Sequence, residues 1–290
     1  MDARARGTLF AFLSAVCFGT EAIFVKRAYA SGVGPLTISA LRFVIASAAL
    51  LPWFFPYALR RGLRRRTWLA AIIIAATLLA PVTLLLVLSL QRVPASVAII
   101  CFYVYPTLAT LLAVPALGER LTAVKALALL GSFAGVAMVL GAPGAAPDIG
   151  GIVLALLAAV INAVAVVAVK RELGDLPPLV ATGAVLTLGA VVFVIVSAVT
   201  RSPLAVPAAA VPYIVGVGLV STAMALAFLY AGLGLIEASR VSIIATLEPI
   251  VTATLAAALL GERLAPLQAF GGLLVVSSVL FISIYQSDHN

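Results

Sequence analysis

Three ionisable side chains, those of Glu21, Arg42 and Glu248, interrupt long apolar stretches of this 290-residue sequence. Placing a charged side chain at the centre of hydrocarbon costs at least about 2.5 kcal/mol on insertion scales, so each of the three needs a partner or a function. Inside membranes, such groups bind protons, ions or charged substrates. They are therefore the first candidates for the chemistry of this protein.

Glu21 and Arg42 are predicted to lie at the same depth in a membrane, because each is roughly 10 Å from the same end of its helix. One interpretation of this match is an ion pair between two neighbouring helices. The other is that Arg42 binds the carboxylate of a substrate while Glu21 carries a proton. The spacing leaves both interpretations open.

Glu248 differs, because it lies near the middle of its apolar stretch and no positive charge is predicted level with it. The adjacent Pro249 removes one hydrogen bond of the helix and frees a carbonyl group near position 245. In the structural interpretation, a protonated Glu248 satisfies a neighbouring acceptor. In the functional interpretation, which we favour, it binds a proton or a substrate ammonium group.

Helical spacing adds Tyr103, Thr246 and Asn162 to the candidates. Polar residues share one face of the fourth apolar segment, and an equivalent face recurs in the ninth: Ser96, Tyr103, Thr107 and Thr110, then Ser239, Ser242 and Thr246. Glu248 lies about 200° around an ideal helix from Thr246, so either the proline bend reorients it or only one face borders a cavity. Asn162 is the only strongly polar residue of its segment, and an interhelical hydrogen bond usually explains such a residue.

Ten apolar segments carry these side chains, each near the ~20 residues that a membrane-spanning helix needs. They cover residues 7–28, 35–57, 67–90, 94–116, 122–142, 150–169, 177–199, 208–232, 237–259 and 265–285. With 64% hydrophobic residues, 10% charged residues and a mean hydropathy of +1.25, the sequence excludes a soluble globular protein. The predicted fold class is therefore an all-α polytopic membrane protein. Its formal charge of +8 lies mainly in loops, where it contacts lipid headgroups, which argues against nucleic-acid binding.

The chain contains two copies of one unit. Residues 93–121 recur as residues 236–264 at an offset of 143 positions, and both copies end in Gly-Glu-Arg-Leu. We predict halves at 1–143 and 144–290 with five helices each, and an odd number of helices inverts the second half in the membrane. Inverted repeats are typical of secondary transporters, whose substrate site lies near the midplane between the halves. A duplicated structural protein without a substrate is the alternative.

Lysine and arginine residues in the loops predict the orientation. Twelve of them lie on the side of the N-terminus and five on the other, with Arg42 inside a segment. We therefore expect both termini in the cytoplasm. Cysteines introduced at Gly62 and Asp288 should react only with membrane-permeant reagents, and labelling of either position from outside intact cells would contradict this orientation.

Several short motifs carry a resemblance to a known family. They are Phe18-Gly19-Thr20, Lys26, Leu41-Arg42-Phe43, Leu247-Glu248-Pro249 and the two Gly-Glu-Arg-Leu turns. With these motifs the sequence resembles the drug/metabolite transporter superfamily, in its ten-helix EamA-type branch. The resemblance implies an inner-membrane carrier, often an exporter of amino acids, that works by alternating access. It also implies a central cavity lined by helices 1–4 and 6–9, with helices 5 and 10 behind; Glu21 stands where relatives often have a small polar residue.

The predicted function is export of small polar metabolites, most of all amino acids. Arg42 would bind the carboxylate, Glu248 the ammonium group and Tyr103 the rest of the substrate. The alternative is proton-coupled efflux of organic cations through Glu21 or Glu248, as the small multidrug-resistance relatives use a carboxylate on their first helix. The only histidine is His289, and no nucleotide-binding loop is present, so neither an intramembrane enzyme nor an ATP-driven pump is expected. We predict no metal and no cofactor, and the oligomeric state stays open.

Three minor motifs have ordinary interpretations. Gly131 and Gly135 form a GxxxG pattern that favours close helix packing, with dimerisation as an alternative. Glu119 and Glu262 of the Gly-Glu-Arg turns are expected to cap helices or to pair with the following arginine. The two cysteines lie in apolar segments and are expected to be buried free thiols.

Overall fold

The computed structural model describes residues 3–61, 65–117, 122–140, 148–236 and 238–288, and these residues contain helices and no β-strand. An apolar segment in lipid must satisfy its backbone hydrogen bonds internally, which the helix does. We number the helical segments along the chain. Their bounds are helix 1 Ala3–Ala30, helix 2 Pro35–Arg61, helix 3 Arg65–Arg92, helix 4 95–117, helix 5 Ala123–Leu140, helix 6 Ile149–Leu173, helix 7 Pro178–Val199, helix 8 Ala208–Leu233, helix 9 238–260 and helix 10 Pro266–Asp288.

Eight of these segments contain helices that are long and apolar enough to cross a membrane. The apolar stretches of helices 5 and 10 are shorter, at Ala126–Val139 and Pro266–Phe281. The prediction of membrane-spanning helices is therefore met in length and composition by eight of the ten segments. The first Gly-Glu-Arg-Leu turn, at residues 118–121, and the predicted boundary at 143/144 lie outside the described residues.

Helices 4 and 9 are each interrupted halfway. Helix 4 consists of Ala95–Phe102 and Tyr105–Leu117, and helix 9 of Ala238–Ala245 and Leu247–Leu260. Pro106 and Pro249 lie in the first turn of each second half. Proline lacks the backbone N–H that a continuous helix would need there, and it fits the first turn of a new helix.

Other helices also depart from α geometry. Helix 1 is broken at Thr20, whose hydroxyl donates to the Cys17 carbonyl oxygen at 2.6 Å and lies 2.7 Å from the Ser221 hydroxyl. Helices 3 and 8 contain π-helical turns at Ala75–Leu79 and Gly216–Met224. The irregular parts of helices 1 and 8 thus meet at Thr20 and Ser221.

The helices pack mainly in pairs. Helix 1 packs along helix 8, helix 2 along helix 7, helix 3 along helix 6, and helix 5 along helix 10. Helix 4 also packs on helix 6, and helix 9 packs on helix 1. The two cysteines, Cys17 and Cys101, are buried and free, as predicted.

Helices 5 and 10 approach closely because glycines face each other. A Cβ atom added to Gly135 would lie 2.5 Å from the Gly271 carbonyl oxygen, and one added to Gly131 would lie 2.4 Å from the Ser278 hydroxyl. The GxxxG pattern therefore serves close packing within the chain, as predicted.

We expect Gly135→Val to destabilise the protein by about 1–3 kcal/mol, because the added side chain forces the two backbones apart. Thermal unfolding in detergent measures the effect. Ala134→Val is the matched control, since Ala134 is exposed on the same helix. Equal melting temperatures for the two variants would contradict the assigned contact.

Candidate functional site

The ion pair that was one of the two interpretations of Glu21 and Arg42 is formed. The two terminal nitrogens of Arg42 donate to the two carboxylate oxygens of Glu21, and the Nη2–Oε2 distance is 2.8 Å. Both side chains are only about one-tenth exposed, at 10% for Glu21 and 11% for Arg42. A two-pronged contact of this kind is among the stronger charge-assisted hydrogen bonds in proteins.

Two of the irregular helices position this pair. The break at Thr20 makes Glu21 the first residue of the second half of helix 1. In the π-helical turn of helix 8, the Thr222 hydroxyl donates to the Val217 carbonyl oxygen at 2.8 Å. Its oxygen accepts a hydrogen bond from Arg42 Nε at 2.9 Å. Arg42 is thus held by helices 1 and 8 together.

The breaks of helices 4 and 9 meet each other. The Tyr103 hydroxyl donates to the Ala245 carbonyl oxygen at 2.7 Å. Ala245 is four residues before Pro249, so this is the carbonyl that proline leaves without its helical donor. The prediction of a freed carbonyl near 245 is confirmed, and its partner is Tyr103 and not Glu248.

Glu248 is half-buried and forms no hydrogen bond or ion pair with any residue that the structure describes. Its carboxyl group lies within electrostatic range of Glu21, Arg42, Tyr103 and Tyr105. The structural interpretation, in which Glu248 satisfies a neighbouring acceptor, is therefore not what the structure shows. Among the described residues, this carboxyl group therefore retains unused binding capacity beside Arg42, Tyr103 and Tyr105.

Tyr105 joins Tyr103 beside Glu248, although an ideal helix would point the two rings in different directions. Their centroids are 6.1 Å apart and the rings meet edge to face at 79°. The helix is broken between them, and both tyrosines lie within electrostatic range of Glu248. Sequence reasoning missed Tyr105, although it is the counterpart of Glu248 at the offset of 143 positions.

The polar face predicted for helix 4 is not a single surface. Thr107 faces helix 5, with its hydroxyl 3.1 Å from that of Ser132. Ser96 contacts Glu262 at the start of the helix. Of Ser96, Tyr103 and Thr107, only Tyr103 lies near Glu248. The break gives the two halves of helix 4 different orientations, so one continuous polar face is not formed.

The remaining predicted site residues have different surroundings. The Thr246 hydroxyl donates to the Ile243 carbonyl oxygen at 2.6 Å and so stabilises the break of helix 9. Asn162 is half-buried in helix 6, and the interhelical hydrogen bond expected for it is not formed with any described residue. No hydrogen bond or ion pair joins Asn162 to the other predicted site residues.

Glu262 acts as a helix cap, which was one of the two roles expected for it. It caps helix 4, accepting from the Ala95 backbone N–H at 2.7 Å, and it pairs with Lys26 and not with the following Arg263. Gly261, whose φ of +68° suits glycine, turns the chain so that Glu262 reaches across. Among the described residues, no group of three or more His, Cys, Asp or Glu side chains has the arrangement of a metal site.

Comparison with known proteins agrees with this architecture. A crystal structure aligns with 97% of this chain and 99% of its own chain, with a TM-score of 0.66 and 20% sequence identity, which shows a similar fold. No curated protein matches the sequence. The sequence profile of the EamA-like transporter family matches residues 5–141 and again residues 149–284. The chain therefore belongs to the EamA-like transporter family, whose members are membrane transporters of small molecules and not enzymes.

Proposed function

We propose that this protein is a secondary transporter that exports small polar metabolites with an ammonium group, amino acids first among them, by alternating access. The carboxyl group of Glu248, which has no partner among the described residues and lies near Tyr103 and Tyr105, carries the proposal. A carboxyl held in the interior without a protein partner is suited to bind a proton or a cationic group in turn. The proposed location is the inner membrane, with both termini in the cytoplasm.

The pattern of helix packing supports ten helices in two inverted halves, 1–143 and 144–290. If the halves are equivalent, helix 1 corresponds to helix 6, helix 3 to helix 8 and helix 4 to helix 9. The contact of helix 1 with helix 8 should then match one of helix 6 with helix 3, and the contact of helix 4 with helix 6 should match one of helix 9 with helix 1. All four contacts are present. The proline breaks of helices 4 and 9 and the π-helical turns of helices 3 and 8 also recur near the same offset. The proposed site lies between the halves, because Glu21 and Arg42 come from the first and Glu248 from the second.

The ammonium group of the substrate would bind Glu248, Tyr103 and Tyr105. A carboxylate supplies the charge, and aromatic faces attract cations as well. Thr246 would keep the break of helix 9 in place, and Asn162 would offer an amide with unused hydrogen-bonding capacity on helix 6.

The carboxylate of an amino acid would bind Arg42, which requires an exchange of partners. The donors that Arg42 would give to a substrate carboxylate are the ones that it gives to Glu21. Substrate binding would therefore displace Glu21. A displaced carboxylate in this apolar interior needs a proton, which couples substrate binding to proton binding.

Proton-coupled efflux of organic cations is the second candidate, and the state of Arg42 favours it. Glu21 neutralises the guanidinium group, so Arg42 does not repel a cation at Glu248. The tyrosine rings and Glu248 then bind an ammonium group without any need for a carboxylate on the substrate.

Counterflow in proteoliposomes, with and without a pH gradient, distinguishes the two candidates. The substrates are amino acids, the amines that remain when their carboxylates are removed, and quaternary organic cations. Saturable counterflow of amino acids but not of the matching amines supports the first candidate. Counterflow of amines and quaternary cations supports the second, and counterflow of none of the three classes contradicts both.

A further inference from the structure

A second charged cluster, which includes Lys26, lies about 33 Å along helix 1 from Arg4 and beyond the proposed substrate site. Both carboxylate oxygens of Glu262 accept hydrogen bonds from the first turn of helix 4. Glu262 Oε2 lies 3.2 Å from the Ser96 backbone nitrogen and 3.0 Å from the Ser96 hydroxyl. We call this side of the molecule the Glu262 face, and the opposite side the Arg4 face.

Lys26 links helix 1 to the same cluster. Its ammonium group lies 3.8 Å from Glu262 Oε1 and donates to the Val93 carbonyl oxygen at 2.7 Å. The next residue, Arg27, donates to the Leu259 carbonyl oxygen. Helix 1, the start of helix 4 and the turn after helix 9 are therefore joined at the Glu262 face by charge-assisted bonds, which are the stronger class of hydrogen bond.

The two faces of the molecule are packed differently. Near the Glu262 face, the first half of helix 4 packs against the second half of helix 9. Towards the Arg4 face these helices diverge: Tyr105–Leu117 packs on helices 5 and 6, whereas Ala238–Ala245 packs on helices 1 and 10. Among the described residues, these two half-helices share no comparable contact. The packing on the two sides of Glu248 thus differs, and the charge-assisted bonds lie on the Glu262 face.

We propose that Glu262, together with Lys26, is the latch that keeps the Glu262 face closed, and that its bonds must break before the substrate site opens to that face. The proposal rests on the alternating access proposed above. The described contacts of Glu262 are with helices 1 and 4 and not with Glu248, so we treat it as a positioning residue that selects between two conformations. The first turn of a helix is a favourable place for a carboxylate, which gives the closed arrangement a specific electrostatic cause.

A buried reporter on helix 9 tests the latch without any substrate. Ala256 is fully buried in the half of helix 9 that packs against helices 1 and 4. In a Cys17→Ala, Cys101→Ala background, Ala256→Cys should react slowly with a small charged thiol reagent in lipid nanodiscs. Adding Glu262→Ala should raise the labelling rate at least about tenfold, because one hydrogen bond to a charged group is worth one to two decades in an equilibrium constant. Lys26→Gln and Ser96→Ala should raise it by smaller factors.

Two controls separate a latch from general loosening. Glu172→Gln removes a carboxylate that pairs with Arg66 at the Arg4 face, and it should leave the rate unchanged. Gly135→Val disturbs the helix 5–10 contact, which includes none of the bonds of the latch, and should also leave the rate unchanged. The latch is contradicted if either control raises the labelling rate as much as Glu262→Ala does. It is also contradicted if Glu262→Ala and Lys26→Gln both fold and both leave the labelling rate unchanged. A raised rate in a protein that transports none of the tested substrates supports the latch and contradicts only the proposed substrate class.

Discussion

Replacing Glu21 by glutamine should destabilise this protein by about 3 kcal/mol or more, and replacing Glu21 and Arg42 together should destabilise it less. Removing one partner of a buried ion pair leaves an uncompensated charge, whereas removing both does not. Arg42→Gln alone should cost less than Glu21→Gln, because an orphaned glutamate can take up a proton and an arginine cannot lose one. Unfolding of the three variants in detergent gives the coupling free energy as a double-mutant cycle.

Transport measured on the same variants tests the role of Arg42. If Arg42 binds the substrate carboxylate, the double variant stays inactive with amino acids however stable it is, and Arg42→Gln raises the apparent KM. Arg92→Gln is the matched control, because Arg92 forms an exposed pair with Asp148 at 3.8 Å that should contribute at most about 1 kcal/mol. Additive stability effects would argue against the pair, and wild-type kinetics in Arg42→Gln would argue against the substrate role.

Glu248→Gln should leave the protein folded and reduce transport about 10- to 100-fold, or remove its pH dependence. Glutamine has nearly the same shape, and no described residue loses a hydrogen bond or an ion pair. The lost interaction is the one between a carboxylate and a proton or a substrate ammonium group, and hydrogen bonds to charged groups are worth about 1.5–3 kcal/mol. Counterflow at several pH values measures the change.

Glu172→Gln provides the comparison for this substitution, because it makes the same chemical change at the membrane surface and should retain wild-type transport. Tyr105→Phe keeps the ring beside Glu248 and removes only its hydroxyl, so it should retain binding of a cationic group through the aromatic face. Full activity and an unchanged pH profile in Glu248→Gln would contradict the proposed binding role of Glu248 and favour a structural role.

Local sequence patterns determined the class of the protein and several details of its interior. Uniform apolar segments of about 20 residues can satisfy their backbone groups in lipid only as helices, so the helical fold follows from composition. The matching depths of Glu21 and Arg42 made an ion pair one of two open interpretations, and the structure shows that the pair is formed. Pro249 specified the freed carbonyl at Ala245, because the effect of proline acts four residues back in the same helix.

Only the tertiary structure decided which side chains gather around Glu248. A helical wheel assumes a continuous helix, and the interruption of helix 4 turns Tyr105 to the same side as Tyr103. The donor to Ala245 comes from a helix more than a hundred residues earlier, and Glu262 caps a helix in the other half of the chain. Such partners depend on which helices pack together and at what register, and no local pattern contains that information. Packing also decided the surroundings of Asn162. Its polarity predicted an interhelical hydrogen bond, and none is formed with the described residues.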